Sequence, residues 1–464
     1  MLKSPAPLAS ADVAHSFASA ISELHARCGV YTKAPMVGRI LDAINWTAGM
    51  DLSRSRLLEP AAGDGAFVVE AARRLLRSLR RYGHSTSPRL LAERIVAYEL
   101  HEEEAAKGRT ALIDVLIENK ISQGEAQKLA AYWLRTADFL LQPLEETKFS
   151  HVAGNPPYAR WSKIPSALRQ AYEAALPPHI SKGDLFLAFL DRGIASLKPR
   201  GKLGFLCSDR WQYMAFAEGF RKERLREVRI IENEEVEPED VYQRSVDIYP
   251  SVLILEKLAA PMPPPAIKRQ GKTLAELGFE VRVGPALGCT PAYVLDVGEA
   301  DAEDELLAPW LAASEVQEGT IERMGKRVIC LYDEHGRLRD LRDFPTAHAR
   351  LLKFRKQLEA RSVVRDHGAA WFRPIDRVCA KRWSAPKLLI PELAKTPRVA
   401  LDTSGAIPSH GVYAIFATSP DADLNELRSR LADGGLAERL KGKAPKVKGG
   451  YVRCYKRILE AVEL

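Results

Sequence analysis

One segment near residue 60 strongly limits what this chain can fold into, because it has the form of a buried strand, a glycine turn and a helix. A short apolar stretch at residues 55–58 precedes the turn, and an amphipathic helix is predicted for residues 66–81. Strand and helix patterns alternate again over residues 94–118, and an apolar stretch at 149–153 precedes a helical pattern at 184–197. Repeated strand–helix units predict an α/β fold with a doubly wound, mostly parallel sheet.

A proline-rich stretch at residues 258–266 marks the predicted domain boundary. Its prolines are incompatible with the interior of a helix or a sheet. We therefore predict an N-terminal domain at residues 1–258, a linker at 259–269 and a C-terminal domain of mixed α/β structure at 270–464.

Basic residues are concentrated toward the C-terminus. From Arg323 to the end the chain has 29 Lys and Arg against 16 Asp and Glu, a net charge of +13. The whole chain has a net charge of +8, so the remainder has a net charge of −5. This asymmetry favours a surface that binds a polyanion, although a basic surface that meets only solvent has the same composition.

The six cysteines are scattered singly, with no CxxC pair and no cluster with histidine. This spacing predicts neither a disulfide framework nor a metal site, and we expect reduced thiols. No segment approaches the ~18 uninterrupted apolar residues of a membrane span. The N-terminus also has no apolar signal-peptide core, so we expect a cytoplasmic protein.

The turn after the first predicted strand contains Gly63 and Gly65, followed directly by the predicted helix. Glycines let the backbone approach a ligand closely, and a helix N-terminus favours the polar or anionic end of that ligand. The dinucleotide pattern GxGxxG is absent because Val68 occupies its third glycine position, and no Gly-Lys-Ser/Thr follows. The turn therefore indicates a ligand site but argues against nicotinamide cofactors and ATP.

Acidic residues lie at the ends of the next two predicted strands. Glu99 follows Gly65 by 34 residues, where a carboxylate can accept hydrogen bonds from both ribose hydroxyls of a nucleoside. Asp138 can accept from an adenine amino group, and Phe139 can pack against the face of the ring. Each residue alone is compatible with an ordinary structural role, and only their order along successive strands favours a cofactor site.

The predicted strand at 149–153 leads into Asn155-Pro156-Pro157-Tyr158, whose residue types suit one kind of chemistry. An exocyclic aromatic amine is a poor nucleophile because its lone pair is delocalised into the ring. The Asn155 side-chain oxygen and the Pro156 carbonyl oxygen can accept its two hydrogens, which localises that lone pair. Pro156 and Pro157 stiffen the loop, and Tyr158 offers a face for stacking against a base. These four residues form the predicted catalytic loop.

With these elements in this order, the sequence resembles the N6-adenine DNA methyltransferases of restriction-modification systems, and among them the gamma class of the TaqI type. In that class the cofactor motifs come first and a target recognition domain follows the catalytic domain. The resemblance implies a Rossmann-like catalytic domain that uses S-adenosyl-L-methionine and a C-terminal target recognition domain that binds double-stranded DNA. It covers residues 28–258 well and residues 280–464 loosely.

The resemblance also assigns roles to individual positions. Thr32 matches a motif that contacts the methionine part of the cofactor, and Phe186 matches an aromatic residue that closes the cofactor pocket. Tyr242 matches an aromatic residue that packs on the flipped base, where relatives usually carry Phe. Together with the positions discussed above, the expected cofactor-binding residues are Thr32, Glu59, Ala61, Gly63, Gly65, Glu99, Asp138, Phe139 and Phe186.

The resulting hypothesis is a site-specific methyltransferase that flips an adenine out of duplex DNA and methylates its N6 amine. It would be the modification component of a restriction-modification or related defence system in a bacterial or archaeal cell. Only some 30 residues precede the first cofactor motif, so we expect any restriction endonuclease to be a separate chain.

Other substrates and one other class of protein stay open at this point. The same loop occurs in enzymes that methylate RNA adenine or a glutamine amide of a protein, which usually lack a long basic C-terminal domain. Cytosine N4 enzymes more often carry Ser at the position of Asn155. A DNA-binding specificity subunit without catalysis is the remaining alternative, disfavoured by the intact acceptor and cofactor residues.

Overall fold

The computed structural model describes residues 11–145, 148–178, 180, 183–212, 214–243, 250–263, 271–322, 325–441, 443–447 and 450–464. The chain divides into two compact units, Met1–Ala266 and Ile267–Leu464. The linker predicted at 259–269 spans this division, and its residues 264–269 lie outside the described ranges. Within those ranges no helix is both long and apolar enough to cross a membrane.

The first unit alternates helices and strands along most of its length. Its strands are β1 (Leu57–Glu59), β2 (Ile95–Glu99), β3 (Leu134–Thr136), β4 (Phe149–Gly154), β5 (Leu197–Ser208), β6 (Val228–Glu235) and β7 (Pro250–Lys257). Its helices are α1 (Ala11–Cys28), α2 (Ala34–Ala43), α3 (Ala66–Arg81), α4 (Pro88–Ala92), α5 (Glu102–Glu118), α6 (Gln123–Trp133), α7 (Ser166–Ala175), α8 (Phe186–Ser196), α9 (Glu218–Glu223) and α10 (Pro238–Val241).

The strands of the first unit form one seven-stranded sheet in the order β3-β2-β1-β4-β5-β7-β6. Strands β1 to β5 pair in parallel, and β7 runs antiparallel to both β5 and β6. The strand order reverses direction between β1 and β4, and ligands of open α/β sheets bind beyond the carboxyl ends of the strands at such a point. This topology confirms the predicted doubly wound, mostly parallel, Rossmann-like sheet.

Both faces of the central part of this sheet are covered, which explains why β1 and β2 are apolar without alternation, whereas the edge strand β6 is largely exposed. Leu57 and Leu58, neighbours on β1, are both buried but belong to different apolar clusters. Successive side chains of a strand point to opposite faces, so one cluster lies on each side of the sheet. Helix α3 buries Val68, Ala72 and Leu75 in one of them, at the spacing expected of an amphipathic helix.

The second unit combines short strands and short helices, as the prediction of mixed α/β structure expects. Its strands are β8 (Phe279–Val283), β9 (Val294–Leu295), β10 (Leu307–Leu311), β11 (Arg327–Ile329), β12 (Lys387–Pro391), β13 (Leu393–Ala394), β14 (Ala400–Asp402), β15 (Ile407–Pro408), β16 (Val412–Ala417), β17 (Lys446–Val447) and β18 (Tyr451–Arg453). Its helices are α11 (Thr290–Tyr293), α12 (Pro345–Lys353), α13 (Arg355–Glu359), α14 (Ser362–Arg365), α15 (Leu424–Leu431), α16 (Gly435–Leu440) and α17 (Lys456–Glu460). The strands form sheets β15-β10-β11-β9, β14-β12-β16-β8 and β13-β18-β17.

Candidate functional site

A cavity lies at the carboxyl ends of β1, β2 and β4 in the first unit, where the strand order reverses. Its empty volume is about 890 Å³, part of it open to solvent. Small-molecule sites usually measure about 300–1,000 Å³. Glu59 ends β1, Glu99 ends β2, and Asn155 directly follows β4, so the parallel strands bring all three side chains to the same edge.

Most of the residues predicted from sequence line this cavity. The lining includes Thr32, Glu59, Ala61, Gly63, Glu99, Asp138, Phe139, Asn155 and Pro157. Gly65, Pro156, Tyr158, Phe186 and Tyr242 are outside that lining. Tyr31, which precedes Thr32 in the matched motif, also lines the cavity. Tyr172 lines it as well but was not predicted, because it belongs to no strand-end motif.

Phe186 is the predicted cofactor residue that the fold places least favourably. It is fully buried in the apolar core at the start of α8. Its neighbours Leu185 and Phe189 line the cavity in its place. The helical stretch is apolar on all sides, so its sequence carried no signal for which side chain faces the cavity.

The glycine turn is held to the end of β2 by the Glu99 carboxylate. Its Oε2 accepts a hydrogen bond from the Gly63 amide at 2.7 Å, and its Oε1 accepts one from the His101 amide at 2.8 Å. Burial raises the pKa of Glu99, while these amide hydrogen bonds act in the opposite direction. Each carboxylate oxygen still has a second lone pair with which to accept a donor from the cavity.

Glu59 is the most unusual ionisable group of the cavity wall. The residue has no solvent-exposed surface, and neither carboxylate oxygen has a hydrogen-bond partner of normal geometry among the described residues. Burial, followed by the nearby charges of Asp64 and Glu99, raises the pKa of Glu59 well above its usual range. A buried carboxylate without a partner is costly, so its position indicates that a donor or cation from a ligand completes it.

Asp138 and Phe139 follow β3 and form a different part of the wall. Asp138 accepts hydrogen bonds from the Tyr172 hydroxyl at 2.7 Å and from the Leu140 amide at 2.8 Å. Burial raises its pKa, with both hydrogen bonds opposing the shift. The Phe139 ring packs against those of Tyr98 and Phe189, whose centroids lie 5.6 and 5.9 Å away.

Asn155 presents a hydrogen-bond acceptor that no described residue uses. Its Nδ2 donates to the Val30 carbonyl oxygen at 3.1 Å, and its Oδ1 is buried without a partner. A carbonyl oxygen can only accept, so the amide must turn its NH₂ group toward Val30 and leave Oδ1 for another donor. An unsatisfied buried acceptor costs about 1–3 kcal/mol. This cost indicates an acceptor reserved for a ligand.

Tyr158 and Tyr242 are linked through their hydroxyl groups. The Tyr158 hydroxyl donates to the Leu206 carbonyl oxygen at 2.7 Å, and because it has one hydrogen it must accept from Tyr242 at 3.0 Å. The two rings meet edge to face at 6.4 Å, and Tyr242 is only 2% exposed. Burial raises the pKa of Tyr158 well above its usual range. Tyr242 therefore supports Tyr158, and its own ring is covered.

At one side of the cavity lies a cluster that was not predicted from the sequence, formed by His25, His101 and Glu104. Their potential ligand atoms all lie within 4.8 Å of one another. The two imidazoles are stacked at 4.2 Å with an interplanar angle of 16°, so their in-plane lone pairs run parallel and do not converge on one ion. The Lys107 ammonium lies 2.7 Å from Glu104 Oε1. This geometry suits a pocket wall better than a metal centre.

Comparison with known proteins adds an independent line of evidence. Residues 55–242 match the family model of the Eco57I restriction-modification methylase. The chain is 27% identical over 498 aligned positions to the type II methyltransferase M.XhoI of Xanthomonas vasicola, covering 94% of this chain and 91% of that protein. It is 26% identical to the type II methyltransferase M.PaeR7I of Pseudomonas aeruginosa, covering 95% and 86%. These matches support a restriction-modification methyltransferase.

Among solved structures, the type IIL restriction-modification enzyme MmeI, determined in complex with DNA, superimposes with a TM-score of 0.56 at 14% identity. The match covers 89% of this chain but 62% of that enzyme, so the chain spans about three fifths of its length. At this identity the likeness supports the fold alone. The superposition includes part of the second unit, because residues 1–266 are a smaller share of the chain than the 89% that it covers.

Proposed function

We propose that the protein methylates the N6 amine of adenine in DNA with S-adenosyl-L-methionine, as the modification component of a restriction-modification or related system. The observation that carries the proposal is the buried, unused Oδ1 of Asn155 at the edge of a nucleoside-sized cavity. An acceptor at this point is what an exocyclic amine needs for one of its hydrogens. The gamma-class, TaqI-like assignment is part of the same proposal.

The cavity residues fit S-adenosyl-L-methionine, which when bound supplies an electrophilic methyl group. Glu99 can accept from the ribose hydroxyls, Asp138 from the adenine amino group, and Phe139 can pack on the adenine ring. Glu59 and the segment at Thr32 are the candidates for the methionine part, whose ammonium would provide the cation that Glu59 lacks. Gly63 lines the cavity beside Ala61 and leaves room for close approach of the ligand to the backbone. Gly65 shapes the same turn by packing closely against Gly108 of α5.

The chain's own contribution to the reaction is to hold and activate the target amine. Asn155 Oδ1 and the Pro156 carbonyl oxygen accept the two N6 hydrogens, while Pro156 and Pro157 keep that carbonyl in place. Tyr158 stacks on the base, which is worth roughly 1–3 kcal/mol and offsets part of the cost of flipping the base out. The buried Tyr242 steadies Tyr158 through its hydroxyl. Positioning of this kind supplies a large part of a catalytic rate gain.

DNA is favoured as the substrate by charge and by the matched proteins. The region from Arg323 to the C-terminus has a net charge of +13 (29 − 16), which suits a polyanion. The relatives above are type II methyltransferases, and MmeI was solved with DNA bound. We therefore infer that the second unit is the target recognition domain.

The proposal is tested by expressing the chain in a host without adenine methylation and sequencing its DNA with detection of N6-methyladenine. We expect methylation at a single sequence motif, absent from cells that carry an empty vector. Purified protein is then given duplex DNA, RNA and a peptide containing glutamine as methyl acceptors. Methylation confined to RNA or to the peptide would reject the DNA assignment.

Replacing Glu59 by Gln should have opposite effects on stability and on cofactor binding. The pKa of Glu59 in the folded state lies above its unfolded value of 4.5, so the folded state holds the proton more tightly. The free energy of unfolding therefore falls as pH rises from the unfolded pKa to the folded pKa. Glu59→Gln has no carboxyl group to ionise, so above the folded pKa of Glu59 it should unfold at a higher denaturant concentration than wild type, and this difference should disappear at acid pH. Cofactor affinity, measured by calorimetry, should fall about 10- to 100-fold because a charge-assisted hydrogen bond is lost.

Glu145, in the same unit, is a control because its pKa is shifted in the opposite direction from that of Glu59. Burial raises its pKa, but Arg56 and Arg135, at 2.9 Å each, outweigh burial and lower it overall. Its stabilising contribution is present above the unfolded pKa and is lost as pH falls. Glu145→Gln should therefore destabilise the protein at neutral pH. An equal loss of stability in both variants would contradict the assignment of Glu59 as an unpaired buried acid.

A further inference from the structure

A basic cleft opens on the second unit, and we name it the Arg377 cleft. Five cationic side chains line it, those of Arg282, Arg373, Arg377, Arg382 and Lys456. They come from β8, from α17 and from the segment between α14 and β12, so the fold collects cations from distant parts of the sequence. The empty volume of the cleft is about 970 Å³, including open solvent, which is more than a single small anion requires.

The two acidic residues of the cleft do not neutralise it. Glu280 is paired with Arg282, whose Nη2 lies 2.6 Å from its carboxylate. Asp376 accepts a hydrogen bond from the Ala286 amide at 2.8 Å. Two carboxylates against five cations leave an excess of three positive charges. The cleft therefore presents a positive field to solvent.

Arg377 and Arg382 are the cations with unused hydrogen-bonding capacity. Both are exposed, and within the described ranges neither side chain makes a hydrogen bond or an ion pair. Arg373, by contrast, donates to the carbonyl oxygens of Pro374 and Ile375 at 3.2 and 2.9 Å. A free guanidinium has five N–H donors in a planar fork that matches the oxygens of a phosphate.

The aromatic residues in and beside the cleft argue against single-stranded nucleic acid. Trp383, which lines the cleft, is only 3% exposed. Phe416 is not part of the lining, and the carbon of the Arg282 guanidinium lies 4.6 Å from its ring centroid. Proteins that hold single strands offer open aromatic faces on which unpaired bases stack. A cleft with free arginines and covered rings suits the phosphates of a duplex.

We propose that the Arg377 cleft binds the phosphodiester backbone of duplex DNA, with Arg377 and Arg382 as the direct phosphate contacts. This inference rests on the proposed function, since it locates the surface of the second unit that holds the DNA. Phosphate contacts fix the orientation of a protein on the duplex and are independent of base sequence. Neutralising the two arginines should therefore weaken binding to every duplex alike.

The test uses the full-length double variant Arg377→Gln/Arg382→Gln and duplex affinity measured by fluorescence anisotropy from about 50 to 200 mM salt. Each lost phosphate contact reduces the steepness of the plot of log affinity against log salt concentration by about 0.9. The slope of the double variant should therefore be shallower than the wild-type slope by about 1.8. Affinity should fall roughly tenfold or more at the lower salt concentrations. The loss should be the same for a methylatable duplex and for one of scrambled sequence.

The matched control is Arg365→Gln/Arg430→Gln, which removes two exposed arginines of the same unit that do not line the cleft. The control should keep the wild-type slope. An unchanged slope in the cleft variant, an equal change in the control, or a loss limited to the methylatable duplex would each overturn the inference. If the wild-type protein itself binds no duplex, the assignment of DNA as the substrate is wrong. This result differs from every result that rejects only the role of the Arg377 cleft, so the two hypotheses are tested separately.

Discussion

Replacing Asn155 by Ala should reduce the rate of methyl transfer about 100- to 1,000-fold, the usual effect of removing one preorganised hydrogen-bonding group from a reacting centre. The substitution removes the Oδ1 that no described residue uses, while Pro156 still offers its carbonyl oxygen. Single-turnover rates at saturating cofactor and DNA isolate the chemical step. Affinities for both ligands should change little. Asn155 lines the cavity without an assigned contact to the cofactor, and phosphate contacts outside the cavity dominate the affinity for DNA.

Two further variants separate the acceptor role from simple loss of a side chain. Asn155 also donates to the Val30 carbonyl oxygen, so Asn155→Asp keeps an acceptor and loses that donor. Asn233, on β6, has a second buried Oδ1 without a hydrogen-bond partner among the described residues, and it does not line the cavity. Asn233→Ala should transfer methyl groups at the wild-type rate. Full activity of Asn155→Ala, or equal losses in the Asn155 and Asn233 variants, would remove the central assignment.

The residues at strand ends were predictable because their positions follow from topology alone. Parallel strands carry their carboxyl ends to one edge, so Glu59, Glu99 and Asn155 had to meet once the strand–helix alternation was established. No side-chain detail was needed for that inference. The same logic placed Asp138 beside them, two residues beyond the end of β3.

The helix contributions to the cavity could not be predicted in the same way. On α8 every residue from Phe186 to Leu190 is buried, so no polar face indicates the rotation of the helix, and Phe189 takes the wall position expected for Phe186. His25 reaches the cavity from α1 by tertiary packing, which hydrophobic periodicity does not encode. Tyr242 matched a motif, yet its hydroxyl bond to Tyr158 exists only in the folded arrangement.

The Arg377 cleft shows a related limit in the second unit. Composition predicted a basic surface but not which of the cations are free. Arg282 and Arg377 look alike in sequence, but the fold pairs the first with Glu280 and leaves the second without a partner in the described ranges. Arg377 lies outside any strand or helix, in the segment between α14 and β12, where no periodicity indicates which side chains it meets.

Gly65→Ala should destabilise the first unit by about 2–5 kcal/mol and lower cofactor affinity. Gly65 precedes α3 with φ of +91°, and a left-handed backbone costs a residue with a Cβ about 1–2 kcal/mol. A Cβ at this position would also lie 2.8 Å from the Gly108 Cα of α5, and overpacking of this kind costs typically 1–3 kcal/mol. The obstacle is backbone, which cannot rotate away, so the turn itself must shift.

Gly83→Ala separates the two contributions. Gly83 also has a positive φ, +71°, but a Cβ there would meet no atom of the described part of the chain within 4 Å. Gly83→Ala should lower the free energy of unfolding only by the cost of the left-handed backbone, about 1–2 kcal/mol, and should leave cofactor binding unchanged. Urea unfolding and calorimetry of both variants provide the comparison. If Gly83→Ala were as damaging as Gly65→Ala, the close approach of the glycine turn to α5 would not be what fixes the shape of the cavity.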